Sequence, residues 1–102
     1  MAMILVVEDH KNLRDMITEH LGATGHEVRA AADGDEGLRV LRERAVDLVL
    51  TDLKLPGADG MEILRAARNL EAGVPVILIT AHGSVEGAVA AMKEGADDYL
   101  AK

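Results

Sequence analysis

The chain has 102 residues, 49% of them apolar, a length that suits one compact domain with a modest core but not two. It contains no cysteine, which excludes disulfide frameworks, thiolate metal sites and cysteine nucleophiles. The formal net charge is −7 and one Tyr is the only aromatic residue, so the chain offers no basic patch or aromatic platform for direct nucleic-acid binding.

The apolar run at the start of the chain, Met1 to Val7, ends at Glu8-Asp9-His10. It is far too short for a signal peptide or a membrane span. We therefore expect a buried strand here, no membrane contact and a cytoplasmic location.

Apolar runs of strand length then alternate with stretches of helical periodicity. Because each crossover helix returns the chain to the same edge of the sheet, this alternation predicts parallel strands and an α/β fold. The five predicted strands are Met3 to Val7, Glu27 to Ala31, Asp47 to Thr51, Pro75 to Ile79 and Asp97 to Ala101.

Four amphipathic helices are predicted between these strands. Helices two and three are expected at about Gly34 to Arg44 and about Gly60 to Glu71. The apolar faces of helices one and four are predicted to be Leu13, Met16, Ile17 and Leu21, and Val85, Ala88, Val89 and Met92. The residues expected to face away on helix one are Lys11, Arg14, Asp15 and Glu19.

Local sequence features agree with this periodicity. Asp33 and Glu36 have the spacing of a capping box, and Gly25, Gly73 and Gly95 stand where helices should stop. The methionines Met16, Met61 and Met92 are expected to fill gaps in the core.

Polar residues follow four of the five predicted strands. In a parallel sheet the carboxyl ends of all strands lie on one edge, so these residues should converge there. They are Glu8 and Asp9 after strand one, Asp52 after strand three, Thr80 after strand four and Lys102 after strand five. In the flavodoxin-like strand order 2-1-3-4-5, strands one and three flank the switch point where ligands bind. Three carboxylates would then meet in one crevice.

Three neighbouring carboxylates repel one another unless a cation lies among them. Oxygen ligands with room for water and phosphate indicate Mg²⁺, which rarely uses an all-protein cage. Phosphoryl chemistry is the natural match. Asp52 can act as a nucleophile, while Thr80 and Lys102 stabilise the transferred phosphoryl oxygens.

Four segments of the chain resemble the CheY-like receiver domain family of bacterial two-component response regulators. They are Ile4-Leu5-Val6-Val7-Glu8-Asp9, Asp47-Leu48-Val49-Leu50-Thr51-Asp52 with Leu55-Pro56-Gly57 and Gly60, Val76-Ile77-Leu78-Ile79-Thr80-Ala81, and Asp97-Asp98-Tyr99-Leu100-Ala101-Lys102. The resemblance covers nearly the whole chain and implies a doubly wound, flavodoxin-like fold.

The resemblance also implies the parts of a phosphorylation switch. Asp52 would accept a phosphoryl group from a sensor histidine kinase. The Mg²⁺ ligands would be Glu8, Asp9, the Asp52 carboxylate and the backbone carbonyl of Lys54. Thr80 and Lys102 would bind phosphoryl oxygens, Tyr99 would be the switch aromatic, and helix four with strand five would form the output surface.

Further expectations follow from the same family. The segments Thr80-Ala81-His82-Gly83 and Gly95 to Leu100 are most similar to receivers that control ATPase-type activators of the alternative sigma factor. We therefore expect a downstream output domain, control of transcription and homodimerisation on activation. His82 and Lys54, each two residues past a reacting residue, are expected to tune hydrolysis of the aspartyl phosphate.

Other interpretations stay open. Asp52 alone could be an ordinary turn residue, Glu8 and Asp9 could cap the first helix, and the four histidines lack metal-ligand spacing and fit solvated positions. A pseudo-receiver that only dimerises is the main alternative. A Mg²⁺-dependent phosphatase should carry a second aspartate where this chain has Lys54, and a flavodoxin-type binding module should carry a phosphate loop where it has Glu8-Asp9-His10.

The family continues past the lysine with a proline and a fifth helix, whereas this chain stops at Lys102. We therefore predict a single receiver domain, residues 1–102, truncated after strand five and lacking that helix. The apolar surface left bare beside the first helix predicts self-association or reduced stability of the 102-residue chain.

Overall fold

The computed structural model describes residues 2–70, 73–80 and 85–101. Predictions that concern Glu71, residues 81–83 and Lys102 lie outside these ranges, as does the prediction for the hydroxyl of Thr80, whose backbone alone is described.

Five parallel strands form one sheet in the order β2-β1-β3-β4-β5, which confirms the predicted flavodoxin-like arrangement. The strands are β1 (Met3–Val7), β2 (Glu27–Ala31), β3 (Leu48–Asp52), β4 (Val76–Thr80) and β5 (Asp98–Ala101). The helices that connect them are α1 (Lys11–Ala23), α2 (Gly34–Glu43), α3 (Gly60–Arg68) and α4 (Val85–Glu94).

The last three strands begin one residue later than predicted, and for β3 and β5 the reason is an aspartate before the strand. The carboxylate of Asp47 accepts the backbone N–H of Met3 at 2.8 Å, and that of Asp97 accepts the N–H of Val76 at 2.8 Å. Each side chain therefore bonds the first residue of the neighbouring strand instead of lying on a face of the sheet.

The helix caps follow the sequence with small differences. Asp33 accepts the N–H of Glu36 at 2.8 Å, but the Glu36 carboxylate returns to Ala32 at 3.4 Å and not to Asp33 itself. A second cap, not predicted from the sequence, joins Asp59 to the N–H of Glu62 at 3.0 Å and begins α3. Helix α3 ends at Arg68, three residues earlier than predicted.

The main core lies on the face of the sheet that α2 and α3 cover. Strand residues alternate between the faces, so Leu5, Val7, Val49 and Leu78 reach this core while their neighbours point the other way. Ile63 and Leu64 of α3 fill the space above them and are fully buried.

Helix α4 packs through its small residues, contrary to the prediction. Val89 and Met92, expected in the core, are 49% and 40% exposed, whereas Ala91 is fully buried. Gly87 and Ala91 are four residues apart and so share one face of the helix. Their small size brings this face close to its neighbours, which a search for large apolar residues does not detect.

The opposite face of the sheet carries α1, which packs against β1 and β2. No residue of α1 is fully buried, and Met16, predicted to fill the core, is 61% exposed. Leu48, Leu50 and Ile77, which point away from the main core, are only half-buried. Met61 on α3, by contrast, does pack against the core as predicted.

Within the described residues, no helix combines the length and the apolar character needed to cross a membrane.

Candidate functional site

Two buried acidic residues, Glu8 and Asp52, lie at the ends of adjacent strands at the carboxyl edge of the sheet. Val7 of β1 pairs with Thr51 of β3, so Glu8 and Asp52 each follow one member of this pair on adjacent strands, which are spaced about 4.8 Å apart. Glu8 is fully buried and Asp52 is 7% exposed. Burying carboxylates is costly unless charges and hydrogen bonds compensate, so two of them at a switch point indicate a built site.

Asp9 and His10 extend this acidic pair toward solvent. The Nδ1 atom of His10 lies 3.4 Å from Glu8 Oε2 and 3.3 Å from Asp9 Oδ1. One ligand atom from each of the three residues fits within 4.8 Å of the others, a grouping able to hold a metal ion. The spacing of the histidines predicts a solvated side chain for His10. Its ring is indeed 75% exposed, but it also contacts both carboxylates.

Hydrogen bonds of Glu8, His10 and Arg14 hold the turn from β1 into α1. His10 is the N-cap residue of α1 and makes no side-chain cap, while Glu8 Oε2 accepts the His10 N–H at 3.2 Å. The guanidinium of Arg14, predicted to face away, is half-buried and donates to the carbonyls of Glu8 at 3.0 Å and Asp9 at 3.4 Å. Glu8 thus fixes the turn without capping the helix.

Asp52 is the last residue of β3 and its carboxylate is oriented by the next residue. Its Oδ1 atom accepts the N–H of Leu53 at 2.7 Å, and its carbonyl accepts the hydroxyl of Thr51 at 2.8 Å. The N–H of Gly60 bonds the carbonyl of Leu53 at 2.8 Å, which closes the loop before α3. A Cβ at position 60 would overlap the Asp52 carbonyl, so this approach requires glycine.

The other predicted site residues lie at or near the same edge. Asp52 pairs with Ile79, so Thr80 lies one residue beyond this pair, and Thr80 in turn pairs with Ala101 of β5. Lys54 follows Asp52 by two residues on the exposed loop. Tyr99 in β5 pairs with Leu78 and is 43% exposed. The backbone thus brings Asp52 and Thr80 to the carboxyl ends of adjacent strands, whereas Lys102, expected at the same edge, lies outside the described residues.

The donor set fits a hard divalent cation. Buried Glu8 offers a carboxylate oxygen close to that of Asp9, which lies at the solvent side, where a cation could keep several of its waters. Asp52 ends the adjacent strand and is not part of the close grouping of Glu8, Asp9 and His10. Mg²⁺ prefers this combination of a few carboxylates with water.

A doubly wound parallel sheet with buried carboxylates at its switch point defines an α/β protein of the flavodoxin-like class. The family profile described as the response regulator receiver domain matches residues 4–102. The chain belongs to this family, which serves as the signalling domain of two-component response regulators.

Known proteins support this assignment. The transcriptional regulatory protein GlrR of Escherichia coli K12 is 41% identical over 101 residues, which are 99% of this chain and 23% of GlrR. The crystal structure of a response regulator receiver domain protein from Clostridium thermocellum superposes with a TM-score of 0.92 at 40% identity, covering 100% of this chain and 82% of that one. The chain thus spans less than a quarter of GlrR and most of the Clostridium protein.

A third similar protein was solved with a ligand. Response regulator TrrA from Thermotoga maritima, in complex with Mg²⁺-BeF, has a TM-score of 0.86 and 32% identity, covering 100% of this chain and 87% of that chain.

Proposed function

We propose that this chain is a phosphorylatable receiver in which Asp52 accepts a phosphoryl group from a sensor histidine kinase. The observation that carries the proposal is the position of Asp52, nearly buried at the end of β3 and next to buried Glu8 at the switch point. A carboxylate that served only as a turn residue would not need to be buried beside a second one.

The site fits Mg²⁺ as its cofactor. The Glu8, Asp9 and Asp52 carboxylates and the backbone carbonyl of Lys54 would hold the ion, directly or through water. When bound, Mg²⁺ would neutralise charge on the phosphoryl oxygens and relieve repulsion among the carboxylates. That the similar TrrA protein was solved with Mg²⁺-BeF supports this choice of metal.

In the proposed reaction, a carboxylate oxygen of Asp52 attacks the phosphorus of the phosphohistidine donor. The new O–P bond forms as the N–P bond breaks, and the imidazole leaves and takes up a proton. The Thr80 hydroxyl and the Lys102 ammonium are assigned to bind the phosphoryl oxygens. Hydrolysis reverses the state when water attacks the same phosphorus, with the side chains of Lys54 and His82 restricting that water. The domain thus turns over only its own acyl phosphate.

Phosphorylation would change the surface formed by α4 and β5. The phosphoryl group adds up to about two negative charges and three strong acceptors, enough to bias a two-state surface. Tyr99, 43% exposed on β5, would change its packing in response. We propose that this surface signals to an output domain of a longer cytoplasmic regulator and supports homodimerisation.

The proposed output is transcription. GlrR, 41% identical and more than four times longer than the region it shares with this chain, is named a transcriptional regulatory protein. Control of an alternative-sigma-factor activator is the form of output that the segments around Thr80 and Gly95 favour.

The test is phosphorylation of the purified chain by acetyl phosphate with Mg²⁺, followed by intact-mass measurement. We expect one phosphoryl adduct in the wild type and in the control Asp35→Asn, an exposed carboxylate on α2. Asp52→Asn should give none while keeping its circular dichroism spectrum. A folded wild type that binds Mg²⁺ yet forms no adduct would contradict the proposal and favour a pseudo-receiver that only dimerises.

A further inference from the structure

Leu53 lies between the proposed phosphoryl acceptor and helix α4. Its backbone N–H donates to Asp52 Oδ1 at 2.7 Å. Its side chain packs so closely on Gly87, the third residue of α4, that a Cβ at position 87 would overlap Leu53 Cδ2. One residue therefore touches both the carboxylate and the helix that the proposed output surface includes.

The backbone on the other side of Leu53 is firmly anchored. Gly60 donates its N–H to the Leu53 carbonyl at 2.8 Å, and a Cβ on Gly60 would lie 2.7 Å from Leu53 Cα. The loop therefore has little freedom to move toward α3. A change in the direction of the Leu53 N–H would therefore act more readily on the Leu53 side chain and its contact with α4.

Leu53 also has space for a second position. A cavity of about 380 Å³ opens beside it, lined mainly by Leu55, Met61, Gly87 and Ala90, with Lys54 and Asp59 at its polar part. Leu53 is only half-buried and itself lines this cavity, so the cavity offers space for a second position of its side chain. A contact with two available arrangements is what a switch needs, since packed interfaces change between discrete states.

We propose that Leu53 is a positioning residue that couples the state of the Asp52 carboxylate to the position of α4. This inference rests on the proposed function, because it assumes that Asp52 is phosphorylated. In the acyl phosphate, the delocalised carboxylate charge is lost to the phosphoryl group. The charge-assisted hydrogen bond from the Leu53 N–H then becomes an ordinary one, which releases Leu53 toward the cavity and α4 from its contact at Gly87.

The coupling is reciprocal. A partner that holds α4 in its released position would shift the equilibrium between free and phosphorylated Asp52 by the same factor. An effect of about tenfold lies within the usual range of such couplings.

The test is a double-mutant cycle of Leu53→Ala and Gly87→Ala, with hydrogen exchange of the α4 amides measured before and after acetyl phosphate. In the wild type we expect phosphorylation to change α4 exchange by about tenfold. Leu53→Ala should form the adduct but lose this change. Gly87→Ala should shift unphosphorylated α4 toward the phosphorylated pattern, because its new methyl group pushes Leu53 away. In the Leu53→Ala background, Gly87→Ala should add no further shift.

Two further variants serve as controls. Gly22→Ala adds a methyl group to α1 where nothing lies within 4 Å, so it should behave as the wild type. Leu53→Met keeps an apolar side chain of similar length and should keep the α4 response. If Leu53 has only a structural role, Leu53→Ala should lower stability but leave the α4 exchange response of the phosphorylated molecules intact. That result would overturn this inference without affecting the proposed function. Absence of any adduct in the wild type would overturn the proposed function as well.

Discussion

Asp15 on α1 shows how a single contact sets the protonation of a carboxyl group. A hydrogen bond from the Lys11 ammonium, 2.6 Å from Asp15 Oδ2, lowers the pKa of Asp15 below its usual value, and the charges of Lys11 and Arg14 add to this effect. The side chain is exposed to solvent, so the effect on stability is small.

We predict that Lys11→Met raises the pKa of Asp15 toward its usual value, which an NMR pH titration of the Asp15 carboxyl would measure. Because the folded-state pKa is lowered, the Lys11 contact stabilises the fold at neutral pH. This contribution is lost as the pH falls below about 4 and through the folded-state pKa. Lys93→Met on α4 is the control, and an Asp15 titration unchanged by Lys11→Met would contradict the assignment.

At the scale of elements, α2 holds the loop that follows Asp52. The N–H of Gly34, the first residue of α2, bonds the carbonyl of Pro56 at 3.1 Å. A Cβ at Gly34 would overlap the backbone carbonyl of buried Ala58. The start of α2 and the loop after β3 therefore touch through backbone atoms, which cannot move aside as a flexible side chain can.

We predict that Gly34→Ala destabilises the chain by about 1–3 kcal/mol, the usual range for overpacking. Gly22→Ala adds the same methyl group in open space on α1 and should be neutral or stabilise by up to about 1 kcal/mol. Urea unfolding followed by circular dichroism would measure both. Equal effects of the two substitutions would show that the close approach at Gly34 does not constrain the fold.

The whole molecule has an uneven distribution of apolar surface. The α1 side of the sheet has no fully buried helix residue, and Met16 and Leu100 are 61% and 54% exposed there. Leu100 pairs with Ile79 and so points to this side of β5. The net charge of −7 opposes association, which apolar contact at this face would favour.

We predict that the 102-residue chain self-associates in a concentration-dependent way, more strongly at high salt, where charge repulsion is screened. Sedimentation velocity would show this, and Met16→Gln with Leu100→Gln should shift the chain toward monomer. Val89→Gln lies on α4, whose proposed role in homodimerisation requires phosphorylation, so as the matched control it should leave association of the unphosphorylated chain unchanged. A monomer at all concentrations, or loss of association only in Val89→Gln, would contradict the prediction.

The sequence by itself determined the parallel strands and the edge at which the acidic residues lie, whereas the strand order was implied only by the family resemblance. Alternating apolar runs force parallel strands, and the residues after those strands, such as Glu8 and Asp52, must then share one edge. Only the tertiary structure decided which side chains meet around them. The contact of His10 with two carboxylates, the reach of Arg14 back to the β1 turn and the packing of Leu53 on Gly87 depend on side-chain directions and helix distances. A periodic pattern does not encode these, because it gives the face on which a residue lies but not how near the next element comes.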